Sequence, residues 1–350
     1  MSRALTLAAR GRYSARPNPM VGCVIVSGGD IVGEGWHERT GDAHAEVNAL
    51  KPAGKAAAGA TVFVTLEPCS HHGRTPPCAD ALIEAGVGEV IVAMTDPSDD
   101  VDGDGIRRLQ AAGIVVRSGL LESQARELNH GFISRVTRHR PFVRLKLAMS
   151  LDGAVAMQSG ESQWITGPEA RADVQRLRAE SGAIMTGIAT VLADDPSLNV
   201  RDERFPVLNQ PLRVVLDSSM RMPADARMLK LPGDTLVATA STVNAPEGAR
   251  RLRVPGHADG VDIPAVLGEL AALGVNDLLV EAGPTLAGHL LRERLFDELV
   301  IYQSPHIMGS STTRAARTPS WTALADRLEL DVVDTRVVGR DQRITARALN

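Results

Sequence analysis

The regular alternation of short apolar segments with helical patterns constrains the fold of this chain more than any other feature of its sequence. Strands that alternate with helices pair into a sheet whose faces the helices cover, which is an α/β domain. In the first half of the chain we predict strands at residues 20–26, 31–36, 61–66, 89–94 and 114–117. We predict helices between them at residues 43–51, 76–86 and 104–113, and one closing helix at residues 121–138.

Charged residues followed by a proline at 138–141 (RHRP) predict a domain boundary, which divides the chain into residues 1–140 and residues 141–350. The second domain is predicted to contain strands at residues 142–148, 183–186, 212–217, 235–238, 277–280, 299–303, 328–338 and 343–348. Helices are predicted at residues 168–181, 263–273 and 284–293, with Asp262 as the N-cap of the second. The strands that follow one another near the C-terminus indicate a mixed sheet rather than a purely parallel one.

Charge and composition exclude several classes of protein. A net charge of −4 and an aromatic content of 3% disfavour binding to nucleic acid. No apolar stretch approaches the roughly 18 residues that a membrane span needs, and residues 1–19 lack the apolar core of a signal peptide. The three cysteines are too few for a disulfide scaffold. We therefore expect a cytoplasmic homo-oligomer that acts on small molecules and contacts neither nucleic acid nor membrane.

His44, Cys69 and Cys78 form the strongest chemical pattern in the sequence. One imidazole and two thiolates can hold zinc and leave its fourth position for a water, as catalytic zinc sites do. Zinc lowers the pKa of that water towards about 7, so that hydroxide is available at neutral pH. Glu46, just beyond His44, can carry a proton from the water to a leaving amine. His-x-Glu and Pro-Cys elements also mark zinc deaminases, although the two cysteines stand closer together there.

Each of these residues, taken alone, also fits a role in a packed core. Cys23 lies within an apolar strand, and we assign it to the core. A structural zinc is a further alternative, but such sites usually fill all four positions with protein ligands. The segment between Cys69 and Cys78 must lie beside the metal because both of its ends are ligands. Its polar side chains are therefore candidates to bind an anionic substrate, namely His71, His72 and Arg74.

These motifs resemble those of the bifunctional riboflavin-biosynthesis deaminase–reductases. In the first domain the resemblance rests on residues 17–22 (PNPMVG), 44–46 (HAE) and 67–78 (EPCSHHGRTPPC). In the second domain it rests on residues 146–153 (KLAMSLDG), 160–166 (GESQWIT), 189–196 (ATVLADDP) and 280–288 (VEAGPTLAG). The resemblance covers essentially the whole chain. The long cysteine motif is highly specific, and the motifs of the second domain are specific as a set.

The resemblance implies a cytidine-deaminase-like α/β/α domain at residues 1–140 and a dihydrofolate-reductase-like α/β domain at residues 141–350. The first would use zinc hydroxide to deaminate 2,5-diamino-6-(5-phosphoribosylamino)pyrimidin-4(3H)-one. The second would use NADPH to reduce the ribosyl group of 5-amino-6-(5-phosphoribosylamino)uracil to ribityl. The sequence leaves open a zinc nucleoside or RNA deaminase with an accessory binding domain, which the acidic balance and the few aromatic residues disfavour.

The resemblance also implies site residues. In the deaminase domain it assigns substrate contacts to Asn18, His71, Arg74 and Asp96. In the reductase domain it assigns NADPH contacts to Ala148, Trp164, Thr190, Asp194, Ser218, Gly283, Pro284, Thr285, Leu286, Ala287, Gly288 and His289. It assigns substrate contacts there to Ser162, Arg178, Leu198, Arg201 and Glu281. Ser98 stands where the family often has Asn, and it is left outside the site.

Physical arguments support part of this assignment. A strand, a glycine turn at Gly283 and a helix start present free backbone N–H groups to an anion such as a pyrophosphate. Arg178 and Arg201 suit a ribose phosphate, because guanidinium groups bind phosphate through two hydrogen bonds. The proton that accompanies hydride transfer must come from a positioned group, and Lys146, Asp152 and Glu281 are candidates.

Of these three candidates, Asp152 also fits a purely structural turn, and the side chain of Lys146 can face either solvent or the cleft. We assign catalytic roles to Lys146 and Glu281 in the reductase domain, and to Glu46 in the deaminase domain.

Overall fold

A computed structural model describes residues 1–70, 76–98, 103–257, 260–310 and 312–349 of the chain. The chain divides into two compact units, Met1–Arg140 and Pro141–Asn350. Every helix among the described residues is too short or too polar to span a lipid bilayer.

The first unit is built on a five-stranded mixed sheet with the strand order β2-β1-β3-β4-β5. Its strands are β1 (Gly22–Ser27), β2 (Asp30–Trp36), β3 (Thr61–Val64), β4 (Glu89–Val92) and β5 (Val115–Ser118). Strand β1 is antiparallel to β2 and β3, whereas β3, β4 and β5 are parallel. A turn at Gly28 and Gly29 joins β1 to β2, and both glycines have a positive φ that other residues rarely adopt.

The helices of the first unit are α1 (Ser2–Ala8), α2 (Ala45–Ala53), α3 (Cys78–Glu84), α4 (Asp104–Ala111), α5 (Glu122–Leu128) and α6 (His130–Arg138). Helix α2 packs unusually close to the sheet. A Cβ on Gly35 of β2 would lie 2.5 Å from the Ala45 carbonyl oxygen and 2.5 Å from the Ala49 nitrogen, so no other residue fits there. This contact fixes the start of α2, where His44 and Glu46 lie.

The prediction of one closing helix at residues 121–138 was wrong, because the chain breaks at Asn129 between α5 and α6. The buried Asn129 side chain accepts a hydrogen bond from the Met20 nitrogen at 2.8 Å and donates one to the Met20 carbonyl oxygen at 2.9 Å. A buried amide needs such partners, and this pair ties the closing helices to the segment that precedes β1. The helix α1 was also absent from the sequence prediction.

The second unit contains a nine-stranded sheet with the order β11-β10-β9-β8-β14-β6-β15-β18-β17. Along this order from β11 to β15, each strand is parallel to the next one. Strand β18 is antiparallel to both of its neighbours, β15 and β17. The predicted mixed sheet is therefore confirmed. Its strands are β6 (Phe142–Ser150), β8 (Ala183–Gly187), β9 (Leu212–Leu216), β10 (Thr235–Thr239), β11 (Arg250–Arg253), β14 (Asp277–Glu281), β15 (Glu298–Ser304), β17 (Leu330–Val338) and β18 (Asp341–Ala348). Two further pairs of short strands lie outside this sheet. Strand β7 (Ala154–Ala156) pairs with β16 (Thr313–Arg314), and β12 (Gly256–His257) pairs with β13 (Gly260–Val261).

Helices cover both faces of this sheet, and apolar side chains of alternate residues pack on each face. Leu278 and Val280 of β14 contribute to one core, and Leu279 between them contributes to the other. The helices are α7 (Pro168–Glu180), α8 (Ile188–Asp194), α9 (Ile263–Ala272) and α10 (Pro284–Arg292). Asp262 caps α9 as predicted, because its side chain accepts a hydrogen bond from the Ala265 nitrogen. The sequence prediction omitted α8, β11 and the short strands.

Candidate active sites

In the first unit, three separate segments bring His44, Cys69 and Cys78 together. His44 is the N-cap of α2, Cys78 is the first residue of α3, and Cys69 lies in the segment after β3. The His44 Nδ1 atom lies 3.2 Å from the Cys78 sulfur and 3.6 Å from the Cys69 sulfur. All three candidate ligand atoms lie within 4.8 Å of one another. One imidazole nitrogen and two sulfurs at this spacing fit a zinc ion with a fourth position open.

The two sulfurs differ in their surroundings. The pKa of Cys69 is lowered because the Cys78 thiol, His44 and the Cys78 backbone N–H group all donate hydrogen bonds to its sulfur. The pKa of His44 is raised, mainly by its hydrogen bond to Cys69. A thiolate that receives several hydrogen bonds is already in the form that binds a metal ion.

Glu46 lies in the first turn of α2, beside these three residues, and only 3% of it is exposed. Burial, and to a lesser extent the charge of the nearby Cys69, raise the pKa of Glu46 to about 7. A carboxyl group with a pKa near neutrality can both take up and release a proton at physiological pH.

His37 is a neighbour of this site that the sequence analysis missed. Its ring lies edge-on to the His44 ring, with 5.4 Å between the ring centroids. Its Nδ1 atom faces the Ala43 carbonyl oxygen at 3.3 Å, and its Nε2 atom faces the Asn18 amide nitrogen at 3.0 Å. Nδ1 must donate to that carbonyl, so Nε2 accepts from Asn18. The only signal in the sequence is a histidine directly after an apolar strand.

Of the other residues predicted to bind substrate in the first unit, the structure describes only Asp96. Asp96 lies after β4, and its side chain accepts a hydrogen bond from the Ser98 nitrogen at 2.9 Å. His71, His72 and Arg74 lie outside the described residues, so their roles stay predictions.

In the second unit, the carboxyl ends of the parallel strands form one edge of the sheet, where ligands bind in open α/β folds. Glu281 is the last residue of β14 and is in register with Lys146 on the neighbouring strand β6. Lys146 is partly buried, and burial lowers its pKa, while the nearby Glu281 charge opposes that shift. The strand therefore turns Lys146 towards Glu281, which resolves the orientation that the sequence left open.

Arg178, a predicted substrate contact, is paired with the carboxylate of Glu281. Its Nε and Nη2 atoms donate to the two carboxylate oxygens of Glu281 at 2.6 and 3.0 Å, and its Nη1 atom donates to the Asn199 carbonyl oxygen. These bonds use three of the five N–H donors of the guanidinium, so the role of Arg178 as a substrate contact stays a prediction. Arg201 lies close enough to Glu281 for its charge to lower the pKa of that carboxyl. Within the described part of the chain, the Arg201 guanidinium has no hydrogen-bond partner.

The predicted cofactor residues fall into two groups. Gly283 is the N-cap of α10, and a Cβ there would lie 3.4 Å from the Thr190 hydroxyl of α8. Thr190 and the start of α10 are thus neighbours, as a shared site requires. Ala287 and Gly288 instead face the protein, because Ala287 is buried and a Cβ on Gly288 would lie 2.0 Å from the Arg317 carbonyl oxygen.

The other residues of the proposed cleft differ in exposure. Trp164 is 67% exposed and lies under the Arg171 guanidinium, whereas Leu198 is buried. Those that are exposed or half-buried are Ala148, Ser162, Asp194, Ser218, Pro284, Thr285, Leu286 and His289.

Asp152 has a structural role. Its carboxylate accepts hydrogen bonds from the Ser150 hydroxyl and from the backbone nitrogens of Met308 and Gly309. These bonds lower its pKa to about 2, the Ser150 bond contributing most. These three hydrogen bonds hold the segment of Asp152 against the segment of Met308 and Gly309, which favours the structural alternative.

The comparisons with known proteins define the class of this protein as a zinc-binding deaminase domain joined to a reductase domain. The family model for the cytidine and deoxycytidylate deaminase zinc-binding region matches residues 1–94, and the model for the RibD C-terminal domain matches residues 141–342. The chain is 50% identical to the riboflavin biosynthesis protein RibD of Escherichia coli over 97% of this chain and 96% of that protein. It is 46% identical to RibD of Haemophilus influenzae over 99% of this chain and 95% of that protein.

Solved structures give the same result. RibD of Acinetobacter baumannii superposes with a TM-score of 0.93 at 42% identity, over 100% of this chain and 98% of that chain. A diaminohydroxyphosphoribosylaminopyrimidine deaminase/5-amino-6-(5-phosphoribosylamino)uracil reductase of Thermotoga maritima superposes with a TM-score of 0.90 at 32% identity, over 100% of this chain and 97% of that chain. The chain belongs to the RibD family and is a bifunctional deaminase and reductase of riboflavin biosynthesis. The cytidine-deaminase-like fold expected for the first domain is confirmed.

Proposed function

We propose that the first unit deaminates 2,5-diamino-6-(5-phosphoribosylamino)pyrimidin-4(3H)-one and that the second reduces the ribosyl group of the product with NADPH. The observation that carries the first step is the convergence of His44, Cys69 and Cys78 beside the buried carboxyl group of Glu46. The names of the relatives support the identity of both substrates, since the Thermotoga maritima protein is described as acting on these compounds.

In the first step, His44, Cys69 and Cys78 would hold the zinc ion. Zinc with three protein ligands supplies an activated water as nucleophile at neutral pH. Glu46 takes a proton from the nucleophile and delivers it to the departing amine, which its pKa of about 7 allows. The hydrogen bond from Asn18 to His37 holds the Asn18 amide so that its oxygen can accept a hydrogen bond from the substrate.

In the second step, we propose Lys146 rather than Glu281 as the proton donor. Burial alone would raise the pKa of Glu281, but the Arg178, Lys146 and Arg201 charges lower it, so Glu281 remains a carboxylate. A carboxylate accepts hydrogen bonds and can orient a ribose hydroxyl group. Lys146 lies on the neighbouring strand, in register with Glu281, and its ammonium group would supply the proton. Arg201 would bind the ribose phosphate, because its guanidinium is exposed.

NADPH rather than NADH is the expected reductant, because Ser218 can donate a hydrogen bond to a 2′-phosphate. The turn that carries Ser218 is fixed by the buried Asp217, whose carboxylate accepts hydrogen bonds from the Arg221 and Met222 nitrogens. The exposed Arg221 side chain lies 3.6 Å from the Asp217 carboxylate and compensates its charge in the same turn. Equal catalytic efficiency with NADH would contradict this assignment.

The test combines activity with metal analysis. The purified chain is incubated with the diaminopyrimidine, and loss of NADPH absorbance reports the complete reaction. About one zinc per chain is expected in the wild type. The Cys78→Ser variant should lose zinc, while Cys23→Ala, which removes the cysteine assigned to the core, should keep it. Full zinc content in Cys78→Ser, or deamination of a structured RNA but not of the pyrimidine, would overturn the proposal.

We further propose a cytoplasmic homo-oligomer. Strand β17 lies at one edge of the nine-stranded sheet and exposes Val332, Val333 and Val337. Exposed apolar residues on an edge strand favour pairing with another chain. Light scattering that gives the mass of a single chain at micromolar concentration would contradict the oligomer.

A further inference from the structure

Glu67 is a buried carboxylate that joins three segments around the candidate zinc site, and only 3% of it is exposed. Its Oε2 atom accepts a hydrogen bond from the Asp96 nitrogen, and its Oε1 atom accepts one from the Ile106 nitrogen, both at 3.2 Å. No cation of the described residues forms an ion pair with it. A buried charge must be compensated by other groups, and here two backbone N–H groups from different segments do so.

One of these groups belongs to the start of α4. Ile106 is the third residue of that helix, whose N-cap is Gly103 and which lacks a side-chain cap of its own. The first N–H groups of a helix have no partner within the helix, and they favour a negative charge. The Glu67 carboxylate therefore binds the N-terminus of α4 from outside the helix.

Helix α4 also contacts the residues on both sides of Cys69. A Cβ on Gly105 would lie 1.9 Å from the Pro68 carbonyl oxygen, so the first turn of α4 rests directly on the Pro68 backbone. Farther along the helix, Arg108 donates to the Ser70 carbonyl oxygen at 3.1 Å and to the Asp80 carboxylate at 2.8 Å. The candidate ligand Cys69 is thus held between two residues that both contact α4.

The second group that Glu67 binds belongs to Asp96, which is assigned to the substrate pocket. The Glu67 carboxylate therefore fixes the distance between the Asp96 backbone and the segment of Cys69. We propose that Glu67 is a positioning residue for deamination, which acts by holding Asp96 in place for the pyrimidine substrate. This inference rests on the function proposed above for the first unit, and Glu67 would act through its hydrogen bonds to the Asp96 and Ile106 nitrogens.

The test is the Glu67→Gln variant. A glutamine retains the shape, but it accepts with one oxygen only and turns its NH₂ group towards the other N–H donor. We expect the deaminase KM for the diaminopyrimidine to rise about tenfold, while the zinc content stays that of the wild type. Reduction of supplied deaminated intermediate should be unchanged, which reports that the chain is folded.

Two further variants make the test specific. Glu89→Gln removes a partly exposed carboxylate that pairs with the exposed Arg117, and it should leave both KM values unchanged. Asp96→Ala alone should raise the deaminase KM. In that background Glu67→Gln should raise the KM little further, because both changes remove the same contribution of Asp96 to substrate binding. Additive effects of the two changes would overturn the proposal.

Glu67→Asp provides a variant in case Glu67→Gln fails to fold. It keeps the charge, but it is one methylene shorter and cannot reach both N–H groups at once. A deaminase KM within twofold of the wild type, in a folded Glu67 variant that retains zinc, would overturn the proposal. A loss of zinc that accounts for the whole loss of deaminase activity would also overturn it. A wild-type chain that does not deaminate the pyrimidine would instead contradict the proposed function.

Discussion

Arg178 and Glu281 form a pair in which the two guanidinium nitrogens Nε and Nη2 meet the two carboxylate oxygens, at 2.6 and 3.0 Å. Both side chains are largely buried. The pair links α7 to the end of β14, beside Lys146. The pair therefore fixes the position of Glu281, and a direct contact of Arg178 with the substrate stays a prediction.

Arg178→Ala should destabilise the second unit by about 3–5 kcal/mol, because it leaves Glu281 buried without its partner. The measurement is the urea midpoint at which reductase activity is lost. Arg204→Ala is the matched control, since Arg204 forms an exposed pair with Asp202, and such pairs contribute at most about 1 kcal/mol. Equal midpoints for the two variants would contradict the prediction.

Arg201→Ala should lower the kcat/KM of reduction by roughly ten- to hundredfold, which corresponds to the loss of one charge-assisted phosphate contact. Deaminated intermediate should accumulate, while zinc content and deamination stay nearly intact. Steady-state kinetics of each half-reaction with its own substrate checks this. If a folded, zinc-loaded variant lost deamination instead, the two activities could not be assigned to separate units.

Glu46→Gln should keep zinc but lose deamination by about 10²–10⁴-fold or more, because glutamine cannot take up and return the proton. The variant should still reduce supplied deaminated intermediate with NADPH. The comparison of both half-reactions in one preparation serves as the folding control. Deamination within about tenfold of the wild type would show that Glu46 does not transfer the proton.

The partly buried Asp173 predicts how stability changes at low pH. Burial alone would raise its pKa, but hydrogen bonds from Arg176, Tyr302 and Arg343 lower it from the usual 3.8 to about 2. A carboxyl group with a lowered pKa contributes stability that is present above its unfolded pKa and is lost as the pH falls through the folded value. The contribution of about 2 kcal/mol at pH 5 should decrease by about 1 kcal/mol at pH 3.

Asp173→Asn removes this titration. The difference in unfolding free energy between the wild type and Asp173→Asn, measured in urea at pH 5 and pH 3, should therefore become smaller at the lower pH. A difference that stays constant or grows between these two values would show that Asp173 does not have a lowered pKa.

The elements of both sheets that follow hydrophobic periodicity could be predicted from the sequence. The β1–β2 hairpin, the buried strand β14 and the N-cap Asp262 depend on residues that are close together in the chain. The candidate ligands His44, Cys69 and Cys78 could also be identified, since few other arrangements use these residue types at such spacing. The break at Asn129 could not, because its partner Met20 lies far away in the sequence.

The sequence by itself thus determined the two α/β halves and the residue types of a zinc site with a nearby carboxylate. Only the tertiary structure decided which partner each polar side chain has: Arg178 binds Glu281, Glu67 binds two backbone segments, and His37 binds Asn18. The physical reason is that helices and strands depend on local periodicity, whereas a buried polar side chain takes its partner from whichever segment the fold brings beside it.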